Sequence, residues 1–216
     1  MEMNYKIIKH QNSVILIADT FSDKVNIDKL WNSSTANDEY NIISNEKRKR
    51  EILTVRHLLN EYLGRSVNIV HDENGKPFAE NENISISISH CSSYVAIMID
   101  YEKHSVGVDI EKSNRNVERV MRRFLSANEQ EYMMKTKNPS HTMLLAWSAK
   151  ETMYKVLGKK AFDFSGTLKV EVFEPEQCTE MNVTFVPEST TYTLQYQCND
   201  HYVLVFGTDA NKKQCL

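Results

Sequence analysis

The run VGVDIEK, residues 106–112, carries two carboxylates, Asp109 and Glu111, interleaved with the apolar Val106, Val108 and Ile110. Side chains in a strand repeat every second residue at a rise of about 3.3 Å. Both acids therefore leave one face, about 6 to 7 Å apart at their Cα atoms. Oxygen donors so placed suit Mg²⁺, which takes one or two carboxylates and fills its octahedron with water and substrate phosphate. A D-x-E pair also decorates many solvated strands, so its meaning depends on its company. Gly107 shares the acidic face, and a missing side chain in a strand marks close approach by a ligand or another backbone.

A second group lies in WSAKETMYK, residues 147–155. At 100° per residue, Trp147, Glu151 and Lys155 fall along one helical face, with Lys150 and Tyr154 beside it. A Glu followed four residues later by a Lys is an ordinary surface pair. The tryptophan on the same stripe argues instead for a cleft or an interface. Upstream, Lys76 and Pro77 sit in the turn NGKPF, and Ser89 and His90 end a serine-rich strand. An ammonium and an imidazole so placed can meet phosphate. Finally, Lys47, Arg48, Lys49, Arg50 and Arg56 put five cations into ten residues. They form either an exposed helix face or a receptor for a polyanion, since arginine forks match phosphate oxygens.

These residues need elements to position them. YKIIKH and SVILIAD read as two strands, with Asn12 and Ser13 turning between them. Helical spacing at Ile52, Val55, Leu59 and Tyr62, widened by Leu58 and Leu63, predicts a long helix with Ser44 as N-cap and Gly64 after its end. NISISIS, YVAIMI and VGVDIEK, from Asn83 to Lys112, predict a three-stranded antiparallel meander in which YVAIMI lies beside the acidic strand. NVERVMRRFL predicts a helix, the capping box SANE opens another, and a third runs from about His141 to Leu157 before Gly158. TLKVEVF, MNVTFV, TYTLQYQ and HYVLVFG predict a second antiparallel sheet. Strands and helices in this order make the class α+β. The halves have a coarse likeness, each a sheet with one long helix, which suits two similar subdomains, 1–103 and 104–216.

At 216 residues the chain can bury a substantial core without disulfide or metal staples. A net charge of -3 gives no global pull toward nucleic acid or an anionic membrane, so any anion site must be local. Cysteines 91, 178, 198 and 215 make no CxxC or zinc spacing, which suits a reducing compartment. No segment approaches the roughly 20 apolar residues of a membrane span, and Val14 to Ala18 is too short for a signal-peptide core. The expectation is a soluble, cytoplasmic monomer.

In order, GKP, SISH, VGVDIEK, RFLSANE and WSAKETMYK resemble the 4′-phosphopantetheinyl transferases, specifically the type that activates surfactin synthetase, from about Ser44 to Gly158. The resemblance implies transfer of the phosphopantetheine arm of coenzyme A to a serine of an apo acyl or peptidyl carrier protein, releasing adenosine 3′,5′-bisphosphate. It implies two subdomains related by a pseudo-twofold axis, with the active site in the cleft between them. It matches Asp109, Glu111 and Glu151 to Mg²⁺ ligands, and Lys155 to a phosphate contact that can protonate the leaving group. It matches Arg56, Lys76, Pro77, Ser89, His90 and Lys150 to coenzyme A contacts. The serine proton goes either to Glu151 or to a metal-bound water. Which of Lys47, Arg48, Lys49 and Arg50 meets the 3′-phosphate stays open, as does the natural carrier. Arg122 and Arg123 are expected to face the acidic carrier. A coenzyme A-binding relative without transferase activity is the alternative.

Overall fold

The computed structural model describes residues 3–27, 43–91, 93–158, 163–177 and 179–214. Cys178 and Cys215 lie outside them, as does Ser92 of the turn expected at 91–93. The chain divides into two compact units, Met1–Lys103 and His104–Leu216. Both are mixed α and β, built on antiparallel sheets.

In the first unit, β1 (Tyr5–His10), β2 (Ser13–Asp19), β5 (Ser85–Cys91) and β6 (Tyr94–Asp100) form a sheet ordered β1-β2-β6-β5. A short hairpin, β3 (Ile69–His71) with β4 (Pro77–Ala79), was not anticipated. Helix α1 (Glu46–Leu63) covers the sheet, ending at Gly64 in the left-handed region. Its N-cap is Asn45, whose side chain accepts from the Arg48 N–H, rather than Ser44. Val55, Leu58 and Leu59 pack on Val14, Leu16, Val95, Ile97 and Ile99. Full burial of each such side chain stabilises by about 1.5 to 3 kcal/mol.

In the second unit, β7 (Val106–Lys112), β8 (Leu168–Val170), β9 (Glu180–Phe185), β10 (Thr190–Cys198) and β11 (Tyr202–Thr208) are ordered β7-β11-β10-β9-β8. An additional strand, β12 (Lys212–Gln214), pairs with β10. Helix α2 (Ala127–Met133) begins at the expected Ser126–Glu129 capping box. Helix α3 (Pro139–Leu157) is capped by Asn138 and closed by Gly158. It buries Met143, Ala146, Ala149 and Met153 in a core shared with Val183, Leu194, Val203 and Val205.

Three expectations about these elements are corrected. β7 is not the third strand of a meander with β5 and β6: it pairs along its whole length with β11, Asp109 opposite Val205 and Glu111 opposite Val203. A strand has only two edges, and those of β6 are filled by β2 and β5 through seven-residue registers. The segment NVERVMRRFL is not an α-helix; it contains a 3₁₀ stretch, Glu118–Arg123, with Val117, Phe124 and Leu125 buried at its flanks. The TLKVEVF run also shortens to three strand residues, leaving Val172 72% exposed.

The contact that matters most for position is at Gly107. A Cβ there would strike the Thr152 carbonyl oxygen of α3 and stand 2.9 Å from a Val156 methyl. The close approach inferred at this glycine is therefore by a backbone, that of α3. Gly107→Ala should push α3 off β7 and destabilise by about 1 to 3 kcal/mol, the usual range for overpacking. An unchanged denaturation midpoint would refute this close-packing account.

Candidate functional site

Strand β7 and helix α3 run antiparallel across each other. From Gly107 to Glu111 the strand advances about 13 Å, matched by about 13.5 Å along the helix from Val156 back to Trp147. Residues some 40 positions apart thus meet in order. Lys155 Nζ donates to the Val108 carbonyl at 2.7 Å and to Asp109 Oδ1 at 3.1 Å. Trp147 Nε1 donates to Glu111 Oε1 at 3.2 Å. The Arg115 guanidinium donates to the same Glu111 oxygen.

Between these pairs lies Glu151, half-buried one turn before Lys155. Burial pushes its carboxyl above the ordinary carboxylate range, and the neighbouring Asp109 pushes it further, against the pull of Lys155 and Arg115. Two acids close enough to repel, with hard oxygen donors, fit a divalent cation, which relieves that repulsion. The three-carboxylate set expected from the sequence is nevertheless not gathered. Among the described residues no group of three or more His, Cys, Asp or Glu side chains comes together at metal-binding spacing. Asp109 and Glu151 are coupled, while Glu111 is held by Arg115 and Trp147.

Lys150 has a different place from the one expected. It is fully buried, and its ammonium donates to the carbonyls of Phe124, Phe164 and Leu168 at 2.6, 3.1 and 2.7 Å and pairs with Glu129 at 2.8 Å. The Glu129 carboxylate also accepts from the Ser126 N–H and hydroxyl and from the Val170 N–H. With its donors saturated inside the core, Lys150 acts as an internal strut and is unsuited to a phosphate contact.

In the first unit, the buried Glu51 organises the basic start of α1. His90 Nδ1 lies 3.1 Å and Arg48 Nη1 3.3 Å from the same Glu51 oxygen, and Arg48 also reaches His90 Nε2. An arginine can only donate, so Nε2 accepts and Nδ1–H donates to Glu51, which assigns the tautomer. Among the four open cations, Arg48 is the one brought against His90. Lys47 stands 3.9 Å from Glu51, Lys49 pairs with Glu46, and Arg50 ties down the chain at Ser22, Asp23 and Val25. Arg56 is half-buried on the same helix. Lys76 and Pro77 are half-buried at the start of β4, where the Lys76 N–H donates to Asp72, and Ser89 is buried beside His90 on β5.

Glu51 and Arg115 are the residues that reading the sequence missed; Glu129 is expected in the capping box, but not as the partner of Lys150. Glu51 is three residues after Arg48, a spacing that signals a helical pair but not its burial. Arg115 follows Glu111 across a turn, where spacing carries no such signal.

Two outcomes test this geometry. Lys150→Met should cost about 3 to 5 kcal/mol by leaving Glu129 buried without its counter-charge; retained stability with weakened coenzyme A binding would show that Lys150 contacts ligand after all. For Glu151 the folded chain prefers the protonated acid. Its contribution to stability therefore falls as pH rises from the ordinary carboxylate value through the raised one, and is constant above both. In chelator-treated protein, Glu151→Gln should gain thermal stability over the parent across that window, and a pH-independent difference would contradict the shift.

No curated protein matches the chain. Residues 105–207, which include β7, α3 and the Asp109, Glu151 and Lys155 side chains, match the family model described as the 4′-phosphopantetheinyl transferase superfamily.

Proposed function

We propose that this protein transfers 4′-phosphopantetheine from coenzyme A to a serine of an apo acyl or peptidyl carrier protein, in the manner of the surfactin-synthetase-activating type. The observation that carries the reading is the Asp109, Glu151 and Lys155 cluster across β7 and α3, inside the matched segment. Asp109 and Glu151, joined by Glu111 once Arg115 releases it, would hold Mg²⁺, which when bound offsets negative charge on the pyrophosphate.

In the reaction the serine oxygen forms a bond to the phosphorus that bears pantetheine, and the bridging P–O bond breaks to release adenosine 3′,5′-bisphosphate. Glu151 accepts the serine proton. A positioned general base of this kind contributes about 10²- to 10⁴-fold. Lys155, anchored by Asp109 and the Val108 carbonyl and 24% exposed, offers its remaining hydrogen to the departing phosphate oxygen. Arg48, Arg56, Lys76 and His90, with Pro77 and Ser89 shaping their backbone, are proposed for the remaining phosphate contacts. Lys150 is omitted because its ammonium is enclosed.

The test is mass spectrometry of apo carrier proteins incubated with the protein, coenzyme A and Mg²⁺. The phosphopantetheine increment should appear, and Glu151→Gln should lower kcat by about 10²- to 10⁴-fold while coenzyme A still binds. Failure on fatty-acid, polyketide and peptide carriers alike would overturn the reading. Coenzyme A binding without transfer would establish the non-transferring alternative.

A further inference from the structure

The Arg115 side chain stands among the acids of the proposed metal site. Its guanidinium donates to Glu111 Oε1, lies over the Trp147 ring with Cζ 4.9 Å from the centroid, and extends its field to Glu151. Trp147 is itself set in place by an edge-on contact with Phe124, ring centroids 5.1 Å apart. The backbone that delivers Arg115 is also anchored. Its N–H donates to the Lys112 carbonyl, and the adjacent Ser113 bonds through N–H and hydroxyl to the His201 and Asp200 carbonyls. Arg115 is thus presented to Glu111 by a tied turn and an aromatic platform.

We infer that Arg115 is a built-in counter-cation that holds Glu111 while the site lacks metal and is displaced when Mg²⁺ binds, a device that presupposes the metal reading proposed above.

Charge and exposure give the physical reason. Asp109 and Glu151 are coupled, and Glu111 is linked to them through Arg115, so the set holds three acids against two cations, Lys155 and Arg115, and carries one excess negative charge without metal when all the acids are ionised. A divalent ion would turn that into an excess positive charge unless one cation leaves. Lys155 is held by Asp109 and a backbone carbonyl, and its side chain is 24% exposed. The Arg115 side chain is 40% exposed against 11% for Glu111, so Arg115 can swing into water while the acid stays. The stacked indole gives the guanidinium a defined resting place at small cost, since such a contact contributes about 0.5 to 1 kcal/mol at an exposed site. Arg115 accordingly sets the metal threshold: it keeps Glu111 from being a bare buried acid, and it competes with the ion that Glu111 would ligate.

The experiment is an NMR titration of the ¹⁵N-labelled chain with MgCl₂ at constant ionic strength, reading the Arg115 Nε–H resonance, assigned by its loss in Arg115→Gln. In the parent, that resonance should start displaced by the indole ring and move toward the position of solvated arginines as Mg²⁺ saturates. Arg115→Gln should bind Mg²⁺ about two- to fivefold more tightly, the effect of removing a partly exposed competing ion pair. Arg115→Lys, which keeps charge without the planar fork, should fall between the two. An Arg115 signal that stays fixed while neighbouring amides report Mg²⁺ binding, or equal affinity in parent and Arg115→Gln, would overturn the inference. The metal reading is judged separately by the Mg²⁺ dependence of carrier modification. Modification indifferent to chelator would remove the metal, and this role of Arg115 with it, whereas Mg²⁺-dependent modification with an unmoved Arg115 would remove only the latter.

Discussion

The approach of helix α3 to strand β7 at Gly107 is the constraint on which the second unit's chemistry depends. With no Cβ in the way, the Thr152 carbonyl and the Val156 methyl settle directly onto the strand. Once that contact is made, the two element geometries leave little freedom. Residues two apart on β7 are matched to residues about four apart on α3, so Asp109 meets Lys155 and Glu151, and Glu111 meets Trp147. One absent methyl group therefore sets the register of four polar side chains contributed by two distant stretches of chain.

The helix that supplies this face does a second job with its next residue. Lys150 and Glu151 are neighbours in sequence but 100° apart around the axis, so one enters the core and the other faces β7. Lys150 spends its donors on Glu129 and on the carbonyls of Phe124, Phe164 and Leu168. Such an ion pair adds little net stability over an apolar pair of the same shape, but breaking it is costly. Its physical effect is to tie α2, the segment before it and the segment after α3 to α3 itself, and so to steady the helix that carries Glu151 and Lys155.

In the first unit a buried acid plays the organising part. Glu51, 5% exposed, sits on the covered face of α1 and draws Arg48 and His90 onto one of its oxygens. A carboxylate so enclosed needs charged or hydrogen-bonding partners to offset its desolvation. The cations nearby are therefore not equivalent. Arg48 is committed to the acid and the imidazole, Arg50 to loop carbonyls and Asp23, and Lys49 to Glu46. A cluster that reads as five interchangeable charges becomes a set of separate tasks.

Local periodicity in the sequence determined a great deal. The alternation in SVILIAD, YVAIMID and VGVDIEK and the 3.6-residue spacing around Leu58 and in WSAKETMYK identify the main strands and helices. They also single out Asp109, Glu151 and Lys155 as acids and a cation on ordered faces. Periodicity says which side of an element is turned inward, because burial acts on every second or every third and fourth residue alike. It does not say which element lies against that side. That β7 pairs with β11, that the neighbour of Gly107 is the Thr152 carbonyl, that Lys150 is sealed while Glu151 is not, and that Arg115 holds Glu111 were decided only in the tertiary structure. Each depends on close packing and charge pairing between segments remote in sequence, where a single ångström separates contact from none.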